Sequence, residues 1–213
     1  MNILFSGCSW TFGSELEDHE KSRFSRLVCD RIGATEINVA KRGCANEVVC
    51  KNTFDYLNST DDHPLQVCPT RRFTRNNLPV DFVFIQITSC VRHSIVHRKA
   101  ITTLNPMGGI NGTLTSMARL LFKKDDIEKW FQLTRWKVCM LDEYLTMKNI
   151  PHVFVAMNGF EADRLKPCLG ENIHPISLYE VCINNNVKMG KDKHPLEKGH
   201  QVIAEEVILP YVL

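Results

Sequence analysis

Two segments at opposite ends of the chain carry the side chains best suited to chemistry. The first is Phe5-Ser6-Gly7-Cys8-Ser9-Trp10-Thr11-Phe12-Gly13, directly after a short apolar run. Small residues at Gly7 and Ser9 let the chain turn sharply there. Ser9 then projects its hydroxyl into a crevice where nearby backbone N–H groups can bind an anion. The second is Asp192-Lys193-His194-Pro195-Leu196-Glu197-Lys198-Gly199-His200. An aspartate and a histidine separated by one residue, at a proline boundary, can face one pocket. His194 can accept the Ser9 proton while Asp192 orients the ring and stabilises its charged form. Each segment alone has a simpler explanation. Gly-x-Ser turns are common without chemistry, Asp192 is a reasonable helix cap and His194 a reasonable surface residue.

These residues need a scaffold that brings the two ends together, and the apolar pattern supplies one. Asn2 to Ser6 reads as a short buried strand, Glu36 to Ala40 as a second, Val80 to Thr88 as a third and His152 to Ala156 as a fourth. Val80 to Thr88 is almost continuously apolar, as expected of a strand buried on both faces. Between them lie helical patterns: Glu17 to Ile32 stopped by Gly33, Asn46 to Leu57, and Asp125 to Lys148. In the last of these, Ile127, Phe131, Thr134, Val138, Leu141 and Leu145 recur at helical spacing, and Asp125-Asp126 suit a helix N-terminus. Pro195 to Leu209 reads as a closing helix with proline in its first turn. Strands alternating with helices predict a parallel sheet covered on both faces, with ligands bound outside the carboxyl ends of its strands. Asp62 to Pro79 and Val91 to Gly112 read as irregular insertions in one domain spanning residues 1–213.

Bulk properties narrow the class further. With 213 residues and 44% hydrophobic composition, the chain can bury a substantial core. Its formal net charge of +2 predicts neither a nucleic-acid nor a membrane partner. No apolar stretch approaches the ~20 residues of a membrane span, and the N-terminus lacks a secretory pattern. Nine scattered cysteines with no Cys-x-x-Cys pair predict reduced thiols and a cytoplasmic location.

Taken together, the two ends resemble the SGNH/GDSL hydrolase superfamily. Its first block is similar to Gly7-Cys8-Ser9-Trp10-Thr11-Phe12-Gly13, and its last block to Asp192, His194, Pro195 and Gly199-His200. Asn38-Val39-Ala40-Lys41-Arg42-Gly43 is similar to the second block, which supplies an oxyanion-hole glycine. Cys8 stands where the superfamily usually has aspartate, and the spacing from Asp192 to His194 is one residue shorter than its commonest pattern. The Gly-Cys-Ser-x-Thr form is similar to the small hydrolase-like proteins of tailed phages. The third block departs most, because Thr88 takes the position of the superfamily's oxyanion-binding asparagine.

The resemblance implies a three-layer, flavodoxin-like α/β sandwich. It implies a serine esterase with Ser9, Asp192 and His194 as catalytic residues and an oxyanion hole formed by Ser9, Gly43 and Thr88, with Gln86, Ser89 and Arg92 as alternative donors to Thr88. The expected reaction is acyl transfer from a carboxylic ester to water through an acyl-enzyme, without metal or cofactor. The expected substrate is a small acyl group, such as acetyl, on a polar acceptor such as a sugar. Trp10, Gln86, Ser89 and Arg92 are the expected substrate contacts. The same triad also serves an acyltransferase, and a non-catalytic binding protein that retains the fold is the alternative from another class.

Other candidates have weaker support. His93 and His97 have the spacing of a helical metal pair without a supporting ligand cluster. Cys8 is either a reactive thiol or, more simply, a buried structural one. Arg71-Arg72, Arg75, Arg92, Arg98 and Lys99 read as solvated loop charge or a basic rim. Trp130 and Trp136 read as packing residues of their helix.

Overall fold

In the computed structural model, residues 1–58, 78–97, 100–104 and 127–213 are described. Four parallel strands form the central sheet in the order β2-β1-β3-β6. They are β1 (Asn2–Ser6), β2 (Thr35–Asn38), β3 (Phe82–Ile87) and β6 (His152–Ala156). β1 lies in register with β2 through Leu4–Ile37 and with β3 through Phe5–Phe84, and β3 pairs with β6 through Ile85–Phe154. A single parallel bridge from Phe154 to Ile173 continues the sheet beyond β6. β4 (His93–His97) and β5 (Ala100–Leu104) form a separate antiparallel hairpin.

The sheet is apolar on both faces because side chains alternate along each strand. On one face, Leu4, Val83, Ile85, Ile87 and Phe154 meet α4 (Asn46–Asn58), α5 (Ile127–Met147) and α6 (Gly159–Leu169). On the other, Ile3, Phe5, Phe82, Phe84, Val153 and Val155 meet α3 (Phe24–Ile32), α7 (Leu178–Asn184) and the C-terminal helix α8 (Glu197–Ile203). This is the three-layer α/β sandwich with a central parallel sheet that the strand–helix alternation predicts. Phe131, Thr134, Val138, Leu141 and Leu145 form the buried stripe of α5 as expected, whereas Ile127 is exposed. Fully burying each such large apolar side chain is worth ~1.5–3 kcal/mol.

Several boundaries differ from the sequence reading. The helix expected over 17–32 is two pieces, α2 (His19–Ser22) and α3, because Arg23 is extended with φ −70° and ψ 147°. The Arg23 side chain is buried against Glu36 on β2. Gly33 does end α3, with φ 66° and its N–H on the Cys29 carbonyl. The closing helix begins at Glu197 rather than Pro195, since Pro195 forms a bridge with Met189, and a π-turn follows at Ala204–Ile208. α6 and α7 were not expected. α7 opens on a complete capping box, with Ser177 and Glu180 bonded reciprocally. Trp136 is 62% exposed on α5, so the packing role expected of it does not hold.

The insertion expected at 62–79 lies almost wholly outside the described residues, and so do Arg71, Arg72, Arg75, Arg98 and Lys99. Within the 91–112 insertion, the backbone of 93–97 and 100–104 forms the β4–β5 hairpin. His93 and His97 therefore sit at the two ends of a strand, roughly 13 Å apart at a strand's rise. The spacing that would pair them on a helix separates them here.

Candidate active site

Three loops meet at the carboxyl edge of the sheet. The first is the turn after β1. β1 ends at Ser6, and α1 (Ser9–Phe12) starts after only two residues. Gly7 is demanded by close approach: a Cβ there would lie 2.2 Å from Thr11 Oγ1 and 2.8 Å from Gln86 Cβ. Gln86, near the end of β3, fastens the turn. Its Oε1 accepts from the Cys8 amide at 3.2 Å, the Thr11 amide at 3.3 Å and the Thr11 hydroxyl at 2.7 Å. Its Nε2 lies 3.3 Å from Cys8 Sγ. Ser9 is 7% exposed, and among the described residues its hydroxyl makes only a long 3.8 Å contact with Cys8 Sγ. Its amide has no acceptor among the described residues.

The second loop runs from β2 to α4. The Lys41 amide and Cys44 Sγ both donate to the Gly7 carbonyl, at 3.1 and 3.4 Å. Asn38 Nδ2 donates to the Thr11 carbonyl at 3.1 Å, and the Arg42 guanidinium lies 4.6 Å above the Phe12 ring. Gly43 stands in this loop with φ 65°, a conformation that favours glycine, and its amide likewise has no acceptor among the described residues. Asn46 then joins this loop to the end of β3. Its Nδ2 donates to the Thr88 carbonyl at 2.9 Å, and its Oδ1 accepts from the Thr88 amide at 2.8 Å. The Thr88 hydroxyl is buried with no partner among the described residues. A buried hydroxyl without a partner costs ~1–3 kcal/mol, so its availability to a ligand is chemically significant.

The third loop precedes α8. Its hairpin-like turn is closed by the Gly190 amide on the His194 carbonyl at 2.8 Å, with Lys193 at φ 60°. The carboxylate on this loop's histidine is Glu15, not Asp192. Glu15 Oε2 lies 3.0 Å from His194 Nδ1. The same carboxylate accepts from the Asp192 amide at 3.0 and 3.1 Å and from the His194 amide at 3.2 Å. Asp192 is exposed and enters the cluster through its backbone N–H. The expected Asp192–His194 pairing therefore gives way to a residue six positions after Ser9. The tight turn explains this: it aims the backbone N–H of Asp192, and not its carboxylate, at the space beside the ring. Burial raises the Glu15 carboxyl, but the hydrogen bonds from the Asp192 amide, the His194 ring and the His194 amide outweigh it and hold the group below its ordinary value.

His200, one turn into α8, lies behind this cluster. It is fully buried, stacks on Phe24 with centroids 5.5 Å apart, and accepts the Phe24 amide at Nδ1 over 3.1 Å. Accepting at Nδ1 requires the neutral ring. Burial first, and then the proximity of His194, push its pKa down to about 3. An unfolded chain would protonate this residue near its ordinary 6.5 while the folded one resists. The unfolded state then binds more protons between about pH 6.5 and 3, so stability falls with acidification through that window. We expect His200→Phe, which keeps the stacking volume, to flatten part of that acid slope in urea denaturation measured from pH 7 to 4. An unchanged slope would remove His200 as its source.

The expected substrate contacts divide. Trp10 is 4% exposed in the core beside Phe5 and Phe24, and Gln86 is fully buried with its Oε1 committed to the turn. Ser89 and Arg92 are only partly buried just beyond β3, and Arg92 Nη1 has no partner among the described residues. Cys8 is fully buried and engaged by Gln86, as a structural thiol would be. Two residues escaped the sequence reading. Asn46 gave no signal beyond helix initiation. Glu15 is detectable only as the acidic residue nearest the proposed nucleophile.

Neither a protein-family model nor a curated protein sequence matches the chain. Solved structures do. The psychrotrophic esterase EstA from Pseudoalteromonas sp. aligns with a TM-score of 0.55 and 9% identity, over 96% of this chain and 93% of that one. A carbohydrate esterase family 2 enzyme with a carbohydrate-binding domain, from Corynascus thermopiles (Myceliophthora fergusii), aligns at 0.50 and 13% identity, over 96% of this chain and 64% of that one. A lipolytic protein of the G-D-S-L family from Veillonella parvula aligns at 0.48 and 13% identity, over 96% and 94%. With its β2-β1-β3-β6 parallel sheet, its serine turn after β1 and its histidine loop before α8 at one sheet edge, the chain has the fold of the SGNH/GDSL hydrolases.

Proposed function

We propose that this protein is a serine esterase that cleaves a carboxylic ester through an acyl-enzyme. The observation that carries the reading is the convergence of the two chain ends. The Ser9 turn and the His194 loop are joined through Glu15, and the Ser9 and Gly43 amides and the Thr88 hydroxyl have no partner among the described residues. A proton on Nδ1, facing the carboxylate, leaves the Nε2 lone pair of His194 to act as base. In the proposed cycle His194 takes the Ser9 hydroxyl proton as Oγ attacks the ester carbonyl. The Ser9 and Gly43 amides and the Thr88 hydroxyl stabilise the oxyanion, each such donor being worth ~3 kcal/mol of barrier. His194 then protonates the leaving alcohol, and water repeats the sequence to release the acid. No step calls for a metal or cofactor.

For the substrate, we propose a small acyl group, such as acetyl, on a polar acceptor such as a sugar. The likeness to a carbohydrate esterase supports this class. Ser89 and Arg92, beside the end of β3, are the proposed substrate contacts. A fluorophosphonate probe tests the reading. Attack by Ser9 Oγ on phosphorus would displace fluoride and leave a stable phosphonyl ester. Labelling confined to the Ser9 peptide is the expected result. Folded protein that stays unlabelled would instead favour a catalytically silent binding protein.

A further inference from the structure

We propose that Glu15 is the positioning carboxylate of this site: it holds the His194 ring in its reactive tautomer and latches the histidine loop to the nucleophile's own segment. The inference rests on the serine-esterase reading above and goes beyond it by moving the acidic member from the expected Asp192 to the turn that carries Ser9.

The geometry is over-determined. One carboxylate accepts from three N–H groups of the 190–194 loop: the Asp192 amide, the His194 amide and His194 Nδ1, at 3.0 to 3.2 Å. Both partners are largely shielded, with side-chain exposures of 21% for Glu15 and 16% for His194. Glu15 adopts φ 69°, unusual for a residue with a side chain. Such a conformation persists only where surrounding contacts hold it, and it recurs at functional sites. The opposing loop is shaped to admit the carboxylate. A Cβ on Gly190 would come within 2.7 Å of its carbon, so only glycine allows this approach.

On the nucleophile side, the Gly13 and Ser14 amides bond back to the Ser9 carbonyl at 3.1 and 2.9 Å. Only this short, closed turn separates Glu15 from Ser9. Base and nucleophile are thus referenced to one rigid turn rather than to two independent loops. Precision of this kind matters, because misplacement by ~1 Å can cost about a hundredfold in rate. The remaining charged groups near the ring are exposed Lys191, Asp192 and Lys193, and none of their side chains is bonded to it among the described residues. His200 is the other titratable neighbour and is committed to the Phe24 amide.

The experiment combines a spectroscopic signature with turnover in the full chain. A histidine Nδ1–H shared with a carboxylate gives a strongly deshielded proton resonance, assignable to His194 by its loss in His194→Gln. We expect wild-type protein to show it, Asp192→Asn to retain it, and Glu15→Gln to lose it or move it upfield. With p-nitrophenyl acetate, Glu15→Gln should lower kcat on the order of 10⁴-fold, the loss seen when a triad carboxylate is neutralised. KM should change little, Glu15→Asp should recover part of the loss, and Asp192→Asn should have a far smaller effect. Absence of the resonance in the wild type, or its loss in Asp192→Asn but not in Glu15→Gln, would overturn the assignment even if a variant fails to fold. A wild type that shows the resonance but takes no fluorophosphonate label would defeat the esterase reading while leaving the Glu15–His194 pairing standing.

Discussion

Ser9→Ala is expected to abolish ester hydrolysis while leaving the protein folded. The structural cost of the change is small. Among the described residues the Ser9 hydroxyl makes only the 3.8 Å contact with Cys8 Sγ, and the turn is held by Gln86 through the Cys8 amide, the Thr11 amide and the Thr11 hydroxyl, none of which depends on the Ser9 side chain. The catalytic cost is large, because the acyl-enzyme bond has no other oxygen to form on. Removing the nucleophile or the base of a triad leaves only the residual catalysis of the oxyanion hole and substrate binding, so the loss should be ~10⁴-fold or more. His194→Ala should fall by a similar factor, and combining the two should add little, since both act in one step. Turnover of p-nitrophenyl acetate and a thermal melt on each variant make the check. Retained turnover in a folded Ser9→Ala protein would remove Ser9 from its role.

Glu36→Ala should produce the largest loss of stability among single changes near the site. Glu36 lies on β2 with its side chain 1% exposed. It accepts two hydrogen bonds from Arg23, Nε to Oε1 at 2.7 Å and Nη2 to Oε2 at 2.9 Å. Arg26 Nη2 adds a further contact at 2.9 Å, and the Ser25 hydroxyl donates to the same carboxylate. Truncation would leave the Arg23 guanidinium, 9% exposed, buried without its counter-charge. Breaking a buried pair from one side costs about 3–5 kcal/mol. For a domain of this size that corresponds to a fall in Tm of roughly 10 °C.

The effect should also reach the site. The Ser25 hydroxyl accepts from Asn38 Nδ2 at 2.9 Å, and that same group donates to the Thr11 carbonyl in the nucleophile turn. Exchanging both partners, Arg23→Met with Glu36→Leu, should recover much of the loss, because no buried guanidinium is then stranded: Arg26 is 37% exposed and keeps Asp30 at 3.8 Å. A fall in Tm of less than about 2 °C for Glu36→Ala would show that Arg23 finds solvent or another partner at little cost.

The strands were the most legible part of this chain. β1 and β6 were bounded correctly from apolar content alone, and the core of β3 was evident, because strands buried on both faces must be continuously apolar. The stripe of α5 was legible for the same reason: a helix that buries one face repeats its apolar residues every three or four positions. The break at Arg23 was not legible. Local propensity favours a continuous helix there, while the extended backbone at Arg23 accompanies a pairing with Glu36 across thirteen positions. Asn46 was equally hidden, since its reciprocal bonds to Thr88 span forty-two positions.

At the site the division is sharper. Residue type and local spacing marked out the Ser9 and His194 segments, because the strand-end glycine turn and the proline-bounded loop are local devices, each marked by its own neighbours. They did not suffice for the acidic partner. Proximity along the chain favours Asp192, yet the turn through Lys193, at φ 60°, presents the Asp192 amide to the cluster and leaves its carboxylate exposed. The carboxylate on the ring comes from Glu15, 179 positions away. The sequence by itself determined which strands could lie buried in the sheet and which two segments carry the proposed nucleophile and base. Only the tertiary structure decided which carboxylate meets the imidazole, because that depends on backbone direction in two loops that touch after the sheet has assembled.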